Sequence, residues 1–77
     1  MTDSYNGFTI TLKNTLNTNF LKSLNISSSY FSDLTLEYYS TEPEAQIGFK
    51  KWQTLIHSRP IQEIYALVQH LTGFKIN

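Results

Sequence analysis

Residues 41–57 read Thr41-Glu42-Pro43-Glu44-Ala45-Gln46-Ile47-Gly48-Phe49-Lys50-Lys51-Trp52-Gln53-Thr54-Leu55-Ile56-His57. Thr41, followed three residues on by Glu44, matches a capping box, and Pro43 is tolerated in the first turn of a helix. Ala45, Phe49, Trp52 and Ile56, with Gly48 and Leu55 beside them, recur at helical spacing and make one apolar stripe. The pattern predicts a helix over 43–57. It stops at His57-Ser58-Arg59-Pro60, because Pro60 cannot continue that helix and is suited to start another. Ile61, Ile64, Tyr65, Val68 and Leu71 form a second stripe over 60–72, with Gly73 placed as a C-cap and Phe74 folding back. Two helices joined by so short a turn are neighbours, as an antiparallel hairpin or a sharper corner.

Upstream the texture changes to Ser, Thr and Asn with β-formers between them. Gly7-Phe8-Thr9-Ile10-Thr11-Leu12-Lys13 alternates apolar and polar with period two, the mark of a half-buried strand. Residues 14–19 carry turn chemistry. The stretch 16–26 reads either way: Phe20, Lys22, Leu24 and Ile26 share a strand face, whereas Leu16, Phe20, Leu21 and Leu24 cluster on a short helix. The weak helix formers around it favour a strand. Ser27-Ser28-Ser29 is a loop. From Phe31 to Tyr39, Leu34, Leu36 and Tyr38 face one way, and Asp33, Thr35 and Glu37 the other. The expected fold is α+β, one domain spanning 1–77. A small antiparallel sheet of two or three strands from residues 7–39 is covered by a two-helix hairpin, 43–57 and 60–72.

Composition narrows the function classes. Hydrophobic residues are 40% and aromatics 14%, while charged residues are 16% with net charge zero. That is neither a disordered charged tail nor an acidic nucleic-acid mimic nor a polybasic coat. The absence of cysteine removes disulfides and thiolate metal sites together. The first six residues have no basic region followed by an apolar one, so no signal peptide is expected, and no apolar run approaches the ~20 residues that span a bilayer. A cytoplasmic protein is the expectation.

No catalytic constellation emerges. Gly7, Gly48 and Gly73 are scattered, so no phosphate-cradling loop exists, and no serine sits in a Gly-x-Ser-x-Gly elbow. His57 and His70 each lie near the C-terminal end of a helix, where positive charge is mildly favoured. Asp33 and Glu37 would stand about 13 Å apart on a strand, too far for paired acid and base work. The chain is therefore expected to be no enzyme, with no cofactor and no metal.

Three features point to binding instead. Phe49-Lys50-Lys51-Trp52 interleaves cations and aromatics, which suits nucleic acid. Helical spacing, however, turns the rings into the stripe and leaves Lys50, Lys51 and Arg59 as a modest basic patch. The paired helices 43–57 and from Pro60 onward faintly resemble those of bacterial repressor domains, although the strand-rich first half departs from that pattern. Ile47 lies about 160° round the helix from Phe49, beside Lys50, Lys51 and Thr54, an apolar residue off the core stripe. Phe31 and Tyr39 fall opposite Leu34 and Leu36, which predicts aromatic surface near water of the kind interfaces favour. These residues are the candidate contacts for another protein, or for a second copy in a homodimer. The small, Asn/Thr/Ser-rich style is similar to accessory proteins of phages and mobile elements, anti-CRISPR and other anti-defence inhibitors among them. The resemblance implies a protein that binds and blocks a larger partner. The competing class is a nucleic-acid-binding domain using Lys50, Lys51 and Arg59.

Overall fold

The computed structural model describes residues 1–16 and 19–72. Four strands precede two helices: β1 (Thr2–Tyr5), β2 (Phe8–Asn14), β3 (Lys22–Ser28), β4 (Leu34–Tyr39), α1 (Glu42–Ser58) and α2 (Ile61–Thr72). The strands lie in chain order and every neighbouring pair is antiparallel. The α+β fold is as the alternation and the two stripes imply, with four strands in place of two or three. The turn residues Asn17 and Thr18, and the C-cap reading of Gly73 and Phe74, lie outside the described residues.

β1 is the additional strand, and its turn explains it. Asn6 and Gly7 both have positive φ, 54° and 81°. A two-residue loop of that handedness matches the twist of the strands it joins, and Asn-Gly is the dipeptide that adopts it most readily. β1 then pairs Tyr5 with Phe8 and Thr2 with Thr11. Residues 22–28 resolve as strand, with Ile10 opposite Ile26 and Leu12 opposite Leu24. Those side chains, with Phe8, are buried against Ala45, Phe49, Trp52 and Ile56 of α1 and Ile64 and Val68 of α2. The ends of the second stripe, Ile61 and Leu71, remain exposed.

β4 departs from simple alternation. Leu24 sits opposite Glu37 and Asn25 opposite Thr35, so Leu36 is an extra residue, a β-bulge. Leu34 and Leu36 both pack against the core as their spacing implies. Beyond the bulge the parity flips. Tyr38 moves to the open face, where it meets the Phe20 ring at 4.9 Å, and Tyr39 turns into the core. The bulge therefore overturns the expectation that Tyr39 keeps its ring near water, and Phe31 is buried as well, against Tyr65.

The helix ends are satisfied by specific groups. Thr41 is the N-cap: its hydroxyl accepts from the Glu44 N–H at 3.3 Å and donates to the Glu44 carboxylate at 2.9 Å. At the other end of α1, the Leu55 carbonyl accepts from the Arg59 N–H and the Thr54 carbonyl from the Ser58 hydroxyl. The Ile56 carbonyl accepts from the Asn6 side chain at 3.2 Å. The Ile56 carbonyl is one of the last four of α1, which have no partner within the helix, so the β1–β2 turn serves as part of the C-terminal cap.

Candidate functional site

Helical geometry puts Ile47, Lys50, Lys51 and Thr54 on the side of α1 away from Phe49 and Trp52, and all four are exposed. Ile47 retains 71% of its surface. The Thr54 hydroxyl donates to the Lys50 carbonyl at 2.9 Å, so it is committed within the helix. Lys51 is placed by a relay that starts in the core. Gly48 leaves room for the Tyr39 ring; a Cβ there would stand 2.0 Å from the Tyr39 hydroxyl oxygen. That hydroxyl donates to the Glu37 carboxylate, whose other oxygen lies 3.5 Å from Lys51 Nζ. Burial, together with the hydrogen bond and the negative charge of Glu37, pushes the Tyr39 phenol well above its ordinary pKa. Tyr39 thus shapes this surface from inside rather than touching a partner.

The structure does not gather Lys50, Lys51 and Arg59 into one free cationic patch. Lys51 is paired with Glu37, and Arg59 forms the C-cap of α1 and pairs with Glu63 at 3.1 Å. Among the described residues Lys50 has no ion-pair partner. Aromatic surface near water does exist, but it is supplied by Tyr5, Tyr30 and Tyr38; Phe31 and Tyr39 are only 6% and 8% exposed.

One cluster has no counterpart in the sequence expectations. His57 Nε2 lies 2.7 Å from the Asp3 carboxylate, and the Tyr5 ring stacks on the imidazole with centroids 4.1 Å apart. Asp3 and Tyr5 alternate with Thr2 and Ser4, so both project from β1 toward the end of α1. The hydrogen bond from His57, then its charge, holds the Asp3 carboxyl below its ordinary pKa. An imidazole bonded to a carboxylate is also part of a nucleophilic triad, but the adjacent Ser58 hydroxyl donates to the Thr54 carbonyl at 2.7 Å. The cluster joins β1 to the end of α1.

Set against known proteins, the chain matches no family model, no curated protein and no solved structure. None of the helices among the described residues is long and apolar enough to cross a membrane.

Proposed function

We propose that this chain is a small non-enzymatic module that binds another protein through the outer face of α1. The observation that carries the reading is Ile47, an isoleucine with most of its surface in water, flanked by Lys50 and Lys51. Interfaces favour an apolar centre with a polar rim, because desolvation of the centre supplies affinity while rim charges steer encounter. The finer form of the proposal is a cytoplasmic inhibitor or accessory protein of the phage type, which blocks a larger partner. Its support is small size and a docking face held on a rigid helix. Pairing of Lys51 and Arg59 with carboxylates counts against the nucleic-acid alternative, since a cation already neutralised releases less counterion on binding.

Ile47→Asp tests the reading. Immobilised wild type and variant are exposed to native host lysate across a salt series, and self-association is followed by sedimentation. The expected result is a partner, or a second copy, held by the wild type at high salt and weakened about tenfold or more in the variant, with melting temperature nearly unchanged. Retention of nucleic acid alone, lost steeply with salt, overturns it in favour of the alternative.

A further inference from the structure

We propose that a groove between α2 and the β3–β4 connection binds an extended, uncharged, proline-rich peptide in the polyproline II conformation. This surface is separate from the outer face of α1, and the inference does not depend on that reading. The groove is a cavity of about 600 Å³, and every side chain lining it among the described residues is uncharged. Among the described residues, none lining the groove offers a cation to a phosphate or carboxylate.

Its centre is a pair of tyrosines held in place before any ligand arrives. Tyr30 is 68% exposed, yet its ring stands edge-on to Tyr65 with centroids 5.3 Å apart. Tyr65 in turn rests on Phe8 at 4.8 Å and Phe31 at 6.0 Å. The Ser28 hydroxyl oxygen accepts from both, from the Tyr30 N–H at 3.1 Å and from the Tyr65 hydroxyl at 3.4 Å. Aromatic groups fixed in this way lose little freedom on binding, which is where preorganised sites gain affinity. Ile61 and Ala66 add apolar wall on α2.

The polar groups match one ligand geometry. Gln62 and Gln69 both line the groove. Seven residues apart on a helix, they point in nearly the same direction and are separated by about 10.5 Å along its axis. A polyproline II helix repeats every three residues, about 9.3 Å, and makes no internal hydrogen bonds, so its carbonyls stay open to a partner. Carbonyls one turn apart on the peptide therefore meet the two carboxamide N–H₂ groups, with the reach of a glutamine absorbing the difference. Proline has no N–H to leave unsatisfied, and its ring packs on aromatic faces between those two contacts.

The test uses a capped decaproline peptide as the probe and a capped Gly-Ser peptide of equal length as the control. The protein is labelled with ¹⁵N and followed by NMR. Saturable shifts of the Gln62 and Gln69 side-chain amides and of the backbone over residues 28–31, absent with the control, are the expected result. Tyr30→Ala should weaken decaproline about tenfold without lowering the melting temperature, because the ring is exposed, whereas Ile47→Asp should leave decaproline binding unchanged. No saturable shift at the groove up to about 5 mM peptide overturns the proposal. So do shifts that survive Tyr30→Ala, or a stronger response at these residues to a neutral disaccharide than to decaproline.

Discussion

On the helix side of the sheet, Phe8, Ile10, Leu12, Leu24 and Ile26 are buried under α1 and α2. One residue along the same strands, Thr9, Thr11, Ser23, Asn25 and Ser27 form the opposite face. There small polar groups bond to one another. Ser4 and Thr9 hydroxyls meet at 2.9 Å, the Ser23 hydroxyl donates to Asn25 Oδ1 at 2.8 Å, and Asn25 Nδ2 donates to the Thr35 hydroxyl at 3.1 Å. Ser23 and Asn25 are buried even so. The first face gains by removing apolar area from water; the second gains only the small net worth of each hydrogen bond, while satisfying groups that would be costly if left unpaired. Equal numbers of contacts on the two faces should thus carry unequal stability.

The largest effect belongs to the covered face. Trp52→Ala should cost roughly 3–5 kcal/mol in urea unfolding, enough to unfold a marginal domain, and native Trp52 fluorescence should lie well to the blue of free indole. Emission at the free-indole wavelength would contradict the buried position. Gly48→Ala comes next, at about 1–3 kcal/mol, because the added methyl overlaps the Tyr39 ring. A double-mutant cycle with Tyr39→Leu should show coupling between the sites, and strict additivity would contradict the close approach of Gly48 to the Tyr39 ring. On the open face, Asn25→Ala should cost about 1–2 kcal/mol, since it leaves the buried Ser23 hydroxyl without its acceptor. A loss as large as that of Trp52→Ala would break the contrast between the faces.

A smaller effect is set by acid. The folded-state pKa of Asp3 lies below its ordinary value of 3.8. Its contribution is therefore fully present above that value and is lost as pH falls through the lower, folded-state pKa. Melting curves from neutral pH down into this range should show the wild type losing an advantage over Asp3→Asn as the carboxyl is protonated. An advantage that instead appears on acidification would reverse the assignment. Smallest of all, Lys50→Glu should change stability by no more than about 0.5 kcal/mol, as read by chemical unfolding.

What could be read from the chain follows the same division. The helices were legible to within one residue or so, because a stripe every three or four positions survives small errors of boundary; expected 43–57 became Glu42–Ser58. The exposure of Ile47 came from the same periodicity. Strand parity is less forgiving. One inserted residue at Leu36 exchanged the environments expected for Tyr38 and Tyr39, and nothing in the composition of Leu34-Thr35-Leu36-Glu37 marks a bulge. β1 carries no apolar alternation, since its inward side chains Asp3 and Tyr5 meet the end of α1 rather than the core. The signal for it was nonetheless present, in the Asn6-Gly7 dipeptide. The Asp3–His57 contact and the Tyr30–Tyr65 groove join residues far apart in sequence, so periodicity had no means of showing either.

The cap that Asn6 places on α1 also orders events in time. Asn6 and Ile56 are 50 residues apart, and Asp3 and His57 are 54 apart. The three strand pairings, by contrast, join segments that follow one another directly in the chain. Hairpins close in about 1–10 μs, whereas contacts between distant segments come only after the intervening chain has been ordered. Interactions absent from the folding transition state act on the rate of unfolding rather than of folding. Stopped-flow measurements on Asn6→Gly, which keeps the left-handed turn and removes the capping amide, should accordingly show faster unfolding with little change in the refolding rate. That result would make the seam between the first strand and the end of the first helix the place where the native molecule starts to come apart, and its contacts the ones that set how long each folded copy lasts.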